Sequence, residues 1–201
     1  VGSLVSAFTG GISDVDNFAA TGIAIVASDE THGTWYYSTN SGGTWLAVGS
    51  VNATSSLLLV DNAATRLYFA PAANYNGVAT SALTIRAWDA TVGGGGMKVS
   101  TAATGGTSAF SAATDVIDVT VTAVNDAPVV TTTGSTLAYA ENQAATAVDN
   151  ALTVSDIDSA MLTSATVRIS ANFSSAEDVL AFTNQLGITG SWNAGTGVLM
   201  L

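Results

Sequence analysis

Cysteine is absent from the 201 residues, which excludes disulfide staples, thiol nucleophiles and thiolate metal sites. Basic side chains are almost absent too: four Lys and Arg stand against 15 Asp and Glu, for a net charge of −11. Nucleic acid and anionic membrane surfaces repel so acidic a chain, and neither is expected as a partner. No apolar run approaches the ~20 residues that a membrane helix needs, so membrane insertion is not expected. There is one histidine, His32, in a polar loop sequence, and it reads as a solvated residue rather than a base. No serine sits in a Gly-x-Ser-x-Gly elbow, and no carboxylate pair lies in an apolar stretch of the kind glycoside hydrolysis uses. The expectation is therefore a protein that is not an enzyme.

What is present is β-forming. Residues 1–124 alternate short apolar runs with Gly, Asn, Ser and Thr clusters, the pattern of an antiparallel β-sandwich. It predicts strands at Gly22–Ser28, Gly33–Ser38, 44–48, Ser56–Val60, 66–70, 82–88 and 115–123. In the last of these, Ile117, Val119 and Val121 alternate with Val116, Asp118 and Thr120, so one face is buried and the other wet. Gly93–Gly96 and the Thr/Ser/Ala/Gly-rich stretch to Gly106 read as a long flexible loop; it lacks the residues of a phosphate cradle. It also holds the only lysine, Lys98, which argues against an internal Lys–Asn crosslink.

Residues 125–201 read as a second domain, with strands at 129–133, 136–140, 151–154 and 163–170. Ser174 with Glu177 three places later has the form of a capping box, and Val179, Leu180 and Phe182 supply an apolar face, so one short helix is expected. Glu177 and Asp178 are then first-turn carboxylates at the positive end of the helix dipole. The strand pattern at Gly197–Leu201 has no visible close, and Val1 has the look of an interior residue; both are read as marks of a fragment whose second domain is incomplete.

The acids are 12 Asp to 3 Glu, spread as 8 acids and 3 bases in residues 1–124 and 7 acids and 1 base in residues 125–201. Short, loop-borne carboxylates of this kind are hard oxygen donors, suited to calcium rather than zinc. They cluster at Asp14/Asp16 and Asp156/Asp158, two Asp-x-Asp pairs, and at Asn125-Asp126, just ahead of Pro128. In an extended or tight-turn backbone an Asp-x-Asp pair brings two carboxylates to one side, with the middle residue, Val15 or Ile157, free to anchor in a core. Pro128 biases Ala127 toward an extended backbone, so the connector should leave one domain straight and enter the next as a strand. On these residues alone an ordinary turn explains Asn125-Asp126-Ala127-Pro128 as well as a metal site does.

The peptide Asn125-Asp126-Ala127-Pro128 resembles the inter-domain linker of the cadherin-like repeats found in tandem in very large bacterial surface adhesins and repeats-in-toxin-type secreted proteins. Asp14-Val15-Asp16 and Asp156-Ile157-Asp158 are similar to that family's inter-domain calcium pair, and Ala140-Glu141-Asn142 to its early glutamate. Asn74-Tyr75-Asn76-Gly77 with Arg86-Ala87-Trp88-Asp89 resembles the second half of one repeat. The likeness implies tandem cadherin/immunoglobulin-like β-sandwiches spanning 1–124 and 125–201, related as two subtypes of one repeat class. It implies a Ca2+ site built from Asn125, Asp126, Asp156 and Asp158, with Asp89 a weaker candidate. Asp14 and Asp16 would serve a junction before this pair of domains, and Glu141 one after it.

The function implied is a calcium-stiffened segment of an extracellular bacterial adhesin or matrix protein, its partners being neighbouring repeats of the same chain. Two alternatives remain open from the residues. One is a subunit of a self-assembling surface fibre or sheath, completed by a neighbour's strand. The other is a carbohydrate-binding module that meets cell-surface glycans through exposed rings among Trp35, Tyr36, Tyr37, Trp45 and Trp88; alternation along strands sends half of those rings inward as core filler.

Overall fold

The computed structural model describes residues 1–13, 21–140 and 142–201. Asp14, Asp16 and Glu141 lie outside the described residues. The chain divides into two compact units, Val1–Val124 and Asn125–Leu201. Both are all-β, built from antiparallel sheets.

The first unit contains β1 (Ser3–Leu4), a 3-10 turn at Val5–Phe8, β2 (Gly22–Ser28), β3 (Gly33–Ser38), β4 (Leu46–Ala47), β5 (Ser56–Val60), β6 (Arg66–Pro71), β7 (Gly77–Trp88), β8 (Lys98–Val99) and β9 (Asp115–Val121). They form a four-stranded sheet ordered β1-β6-β3-β4 and a five-stranded sheet ordered β8-β5-β2-β7-β9. Inward side chains of both sheets meet in one core, with Ile23, Ile25, Leu57, Leu59 and Leu83 from the larger sheet and Trp35, Tyr37 and Leu67 from the smaller.

Strands β2 and β5 are continuous apolar runs because both of their faces are covered. Ala24 and Leu58 point the other way and join Trp88, Ala109 and Phe110 in a second cluster on the outer face of the larger sheet. The glycine at the start of β2 follows from that packing. A Cβ on Gly22 would meet Trp88 Cε3 at 2.9 Å and the backbone of Leu59 more closely still.

Two expectations change here. Residues 93–106 are an ordered cover rather than a flexible loop. Gly96 N–H donates to Leu58 O at 2.7 Å and Leu58 N–H to Met97 O at 2.9 Å, β8 pairs with β5, and Trp88 Nε1 donates to Val92 O at 2.9 Å. The apolar outer face of the sheet binds what its low-complexity sequence leaves undirected. Strand β7 begins at Gly77, not Ala82, because Gly77–Ala79 regain pairing with β9 beyond an irregularity between Ala79 and Leu83. Ser81 in that irregularity has φ +51°, and its N–H is held by Asp118 Oδ1 at 2.6 Å. Strand β9 itself alternates as expected, with Ile117 and Val119 packed on the core.

The second unit contains β10 (Val129–Thr131) paired with β11 (Thr153–Ser155), and a three-stranded sheet in which β14 (Val198–Met200) lies between β12 (Thr166–Arg168) and β13 (Ser191–Asn193). The expected helix after Ser174 is absent, and no α-helix occurs among the described residues. A single turn stands there instead. Glu177 and Asp178 N–H both donate to Ser174 O, at 3.1 and 2.9 Å, and the Ser174 N–H is capped by Asp178 Oδ2 at 2.8 Å, not by Glu177. An isolated short helix depends on burying its apolar face, and Val179 is 70% exposed.

Residues 136–140 likewise form no strand. Tyr139 Oη donates to Gln143 O at 2.7 Å and Ala140 N–H to Gln143 Oε1 at 3.1 Å, so local turn bonds satisfy that segment. Among the described residues of this unit, Leu199 is the one buried apolar side chain.

Candidate functional site

At the start of the second unit the linker is tied to the Asp-x-Asp pair. Asp126 N–H donates to Asp158 Oδ2 across 32 residues. Asp156 Oδ1 accepts from the N–H of Asp158 at 2.9 Å and of Ser159 at 2.8 Å, an Asx turn that gives the pair its shape. Asn125 Nδ2 donates to Asp126 O at 2.7 Å, which closes the linker on itself. Asn125, Asp126, Asp156 and Asp158 are thus drawn into one region of this unit by backbone bonds.

The donor set is wholly of hard oxygens, which suits calcium in kind. As it stands it is not a finished cage: among the described residues no three His, Asp or Glu side chains converge as a metal-holding group. Ile157, expected to anchor in a core, is 62% exposed, because the Asx turn lifts the middle residue of the pair outward. Asp89 belongs to the first unit, where its Oδ1 accepts from Thr91 N–H at 2.8 Å and Thr91 Oγ1 at 2.6 Å. That carboxylate oxygen shapes a turn.

A carboxylate not singled out from the sequence holds the second unit's hairpin. Asp149 Oδ2 accepts from Thr133 N–H at 2.8 Å and Thr133 Oγ1 at 3.1 Å, and its Oδ1 from Ala151 N–H at 3.0 Å. These donors, the Thr133 N–H foremost, hold its carboxyl below the usual aspartate value. The sequence signal available is only an Asp two places before Ala151, a common turn pattern; the partner at Thr133 comes from the β10–β11 pairing.

The rings divide as alternation predicts. Trp35, Tyr37 and Trp88 are buried, while Tyr36 and Trp45 lie on the outer side and meet Tyr68, which the sequence reading did not single out. Tyr36 and Tyr68 are paired directly across β3 and β6, with ring centroids 6.4 Å apart; Trp45 is 5.7 Å from Tyr68 and nearly edge-on. His32 is stacked on Tyr75, centroids 4.3 Å apart and planes within 12°.

No protein-family model, no curated protein and no solved structure matches this chain.

Proposed function

We propose that this chain is a calcium-stiffened structural segment of an extracellular bacterial adhesin or matrix protein, composed of cadherin-like β-sandwich repeats. The observation that carries the reading is the bond from Asp126 N–H to Asp158, which brings the linker's oxygens to the Asp156–Asp158 pair. Asn125, Asp126, Asp156 and Asp158 would hold the ion, which supplies the positive charge that lets these carboxylates close together. An ion that binds only the ordered segment stabilises it by an amount that grows with the logarithm of free calcium once the site is saturated. A chain of such segments becomes stiff where calcium is abundant and loose where it is scarce, which is the behaviour of a projecting stalk.

The test is a pair of thermal melts of the whole chain, one in chelator and one in calcium. At about tenfold over a millimolar-range Kd the expected stabilisation is about 1.4 kcal/mol, a rise of roughly 5–10 °C for a unit this small. Asp156→Ala and Asp158→Ala should each remove the rise. Coincident melts in chelator and calcium would overturn the reading.

A second reading draws on the exposed apolar side chains of the second unit, Val129, Val130, Val154 and Val167 among them: a fibre subunit whose second unit is covered by a neighbour's strand. Light scattering on the same samples separates the two, since a stalk segment stays monomeric at fixed calcium and a fibre subunit grows.

A further inference from the structure

The outward face of the sheet β1-β6-β3-β4 carries a cluster that belongs to neither apolar core. Tyr36 and Tyr68 stand opposite one another with planes tilted by 32°, which makes a shallow trough, and Tyr68 is 36% exposed. Trp45 forms a wall at 62° to Tyr68. It lies so close over the backbone that a Cβ on Gly2 would meet its Cη2 at 2.6 Å.

Arg66 lies two positions before Tyr68 and so on the same face. A guanidinium carries five donors. Arg66 spends Nη1 on Gly2 O at 3.4 Å, and its buried Nε has no partner among the described residues. The flanking positions are small: Ala47 opposite Tyr36, and Thr34 opposite Ala70.

Cross-strand stabilisation, about 0.2–1 kcal/mol for an aromatic pair, accounts for Tyr36 facing Tyr68. It does not account for the Trp45 wall, nor for one of only four Lys and Arg residues in the chain lying on the same face. Tyr, Trp and Arg together are also the anchors of protein interfaces, and area decides between the two. Strands β3 and β6 have six residues each, while β1 and β4 have two. Two strands about 20 Å long and about 5 Å apart present roughly 200–300 Å², against about 800 Å² per partner in a stable protein interface. That footprint fits a few sugar rings.

The chemistry fits as well: the C–H face of a pyranose lies against an aromatic π face, and a guanidinium meets a carboxylate in a planar fork. The net charge of −11 repels a polyanion, so the acidic group is a single one on a short glycan.

We propose that Tyr36, Tyr68, Trp45 and Arg66 form a binding site for a short glycan, its rings lying on the tyrosines against the Trp45 edge and one carboxylate-bearing sugar on Arg66. The site is independent of calcium, so it is tested with the whole chain in chelator, and its outcome stands whatever the melts show. Saturation-transfer NMR titrations would use sialyllactose and a glucuronate-bearing disaccharide as acidic probes, with lactose and cellobiose as neutral ones.

The expected result is transfer from aromatic protons to at least one acidic probe, with neutral probes binding at least fivefold more weakly. Tyr68→Ala and Trp45→Ala should each weaken binding at least tenfold, and Arg66→Gln should bring the acidic probe down to the neutral level. Should Tyr68→Ala fail to fold, Tyr68→Leu keeps the apolar bulk and removes the flat ring. Absence of transfer to all four probes, equal binding of acidic and neutral probes, or folded ring variants that bind like the parent chain would each overturn the proposal.

Discussion

Single side-chain oxygens set many of the turns in this chain. Asp29, Asn52 and Asp89 each accept, through Oδ1, both the N–H and the hydroxyl of a threonine two places on, with distances between 2.6 and 2.9 Å. At Asp29 those bonds, led by the Thr31 hydroxyl, hold the carboxyl below its ordinary value. The pattern is legible in the sequence as Asp/Asn-x-Thr, but the same oxygen is equally a cation ligand, and only the fold tells which use it has. Asp89 illustrates the overlap: the cadherin-like resemblance makes it a weaker ligand candidate, and its Oδ1 accepts from Thr91 in a turn.

Asp149 gives the residue-scale prediction. Its folded value is depressed, so its contribution is present above the unfolded aspartate value of about 3.9 and is lost as pH falls through the folded value. The amide shifts of Thr133 and Ala151 should therefore titrate together, with a midpoint below that of an unstructured aspartate, and Asp149→Asn should flatten both. NMR spectra recorded between about pH 2 and 6 would show it; a midpoint at or above the unstructured value would contradict the bonding described for Asp149.

Among the elements, the strands most readable from sequence are those whose apolar pattern the tertiary structure merely uses. Gly22–Ser28, Gly33–Ser38 and Ser56–Val60 occupy the expected residues, because a continuous or alternating apolar run already states how many faces are covered. The helix after Ser174 and the strand at 136–140 were equally well patterned and did not form. In both, local bonds to Asp178 and Gln143 satisfy the backbone instead.

The segment following β7 shows the converse, since its order comes from what it covers. Ser56 and Thr101, both buried, share a hydrogen bond of 2.8 Å across 45 residues and join that cover to β5. Ser56→Ala removes the shorter of the two bonds open to the Thr101 hydroxyl, whose other acceptor is Ala53 O at 3.3 Å, and should cost about 1 kcal/mol, whereas Ser56→Ala with Thr101→Val should cost less than the sum of the single changes. Urea melts of the two single variants and the double variant measure the coupling, and simple additivity would show that the two hydroxyls do not hold the cover.

Across the whole molecule, burial is uneven. The first unit owns the two apolar clusters, whereas Leu199 is the one buried apolar side chain among the described residues of the second. Opening free energy follows local burial and contact. Hydrogen exchange should thus find β2, β3, β5 and β7 protected to near the global limit and β10–β14 exchanging by easier, local opening. If calcium orders the linker as proposed, protection of residues near Asp126 and Asp156 rises with it. Uniform protection across both units without calcium would mean that the second unit has a stability its burial does not explain.

The sequence by itself determined that the chain is all-β, that β2, β3 and β5 run where they do, that alternation turns half of the aromatic rings inward, and that the acids are mostly short aspartates in turn-like sequence. These follow from periodicity and side-chain chemistry, which are local. Only the tertiary structure decided that Asp126 meets Asp158, that Tyr68 joins Tyr36 and Trp45, and that a glycine-rich segment is a cover. Each of these depends on strand register and on which surface needs covering, and both are set by contacts between residues far apart in the chain.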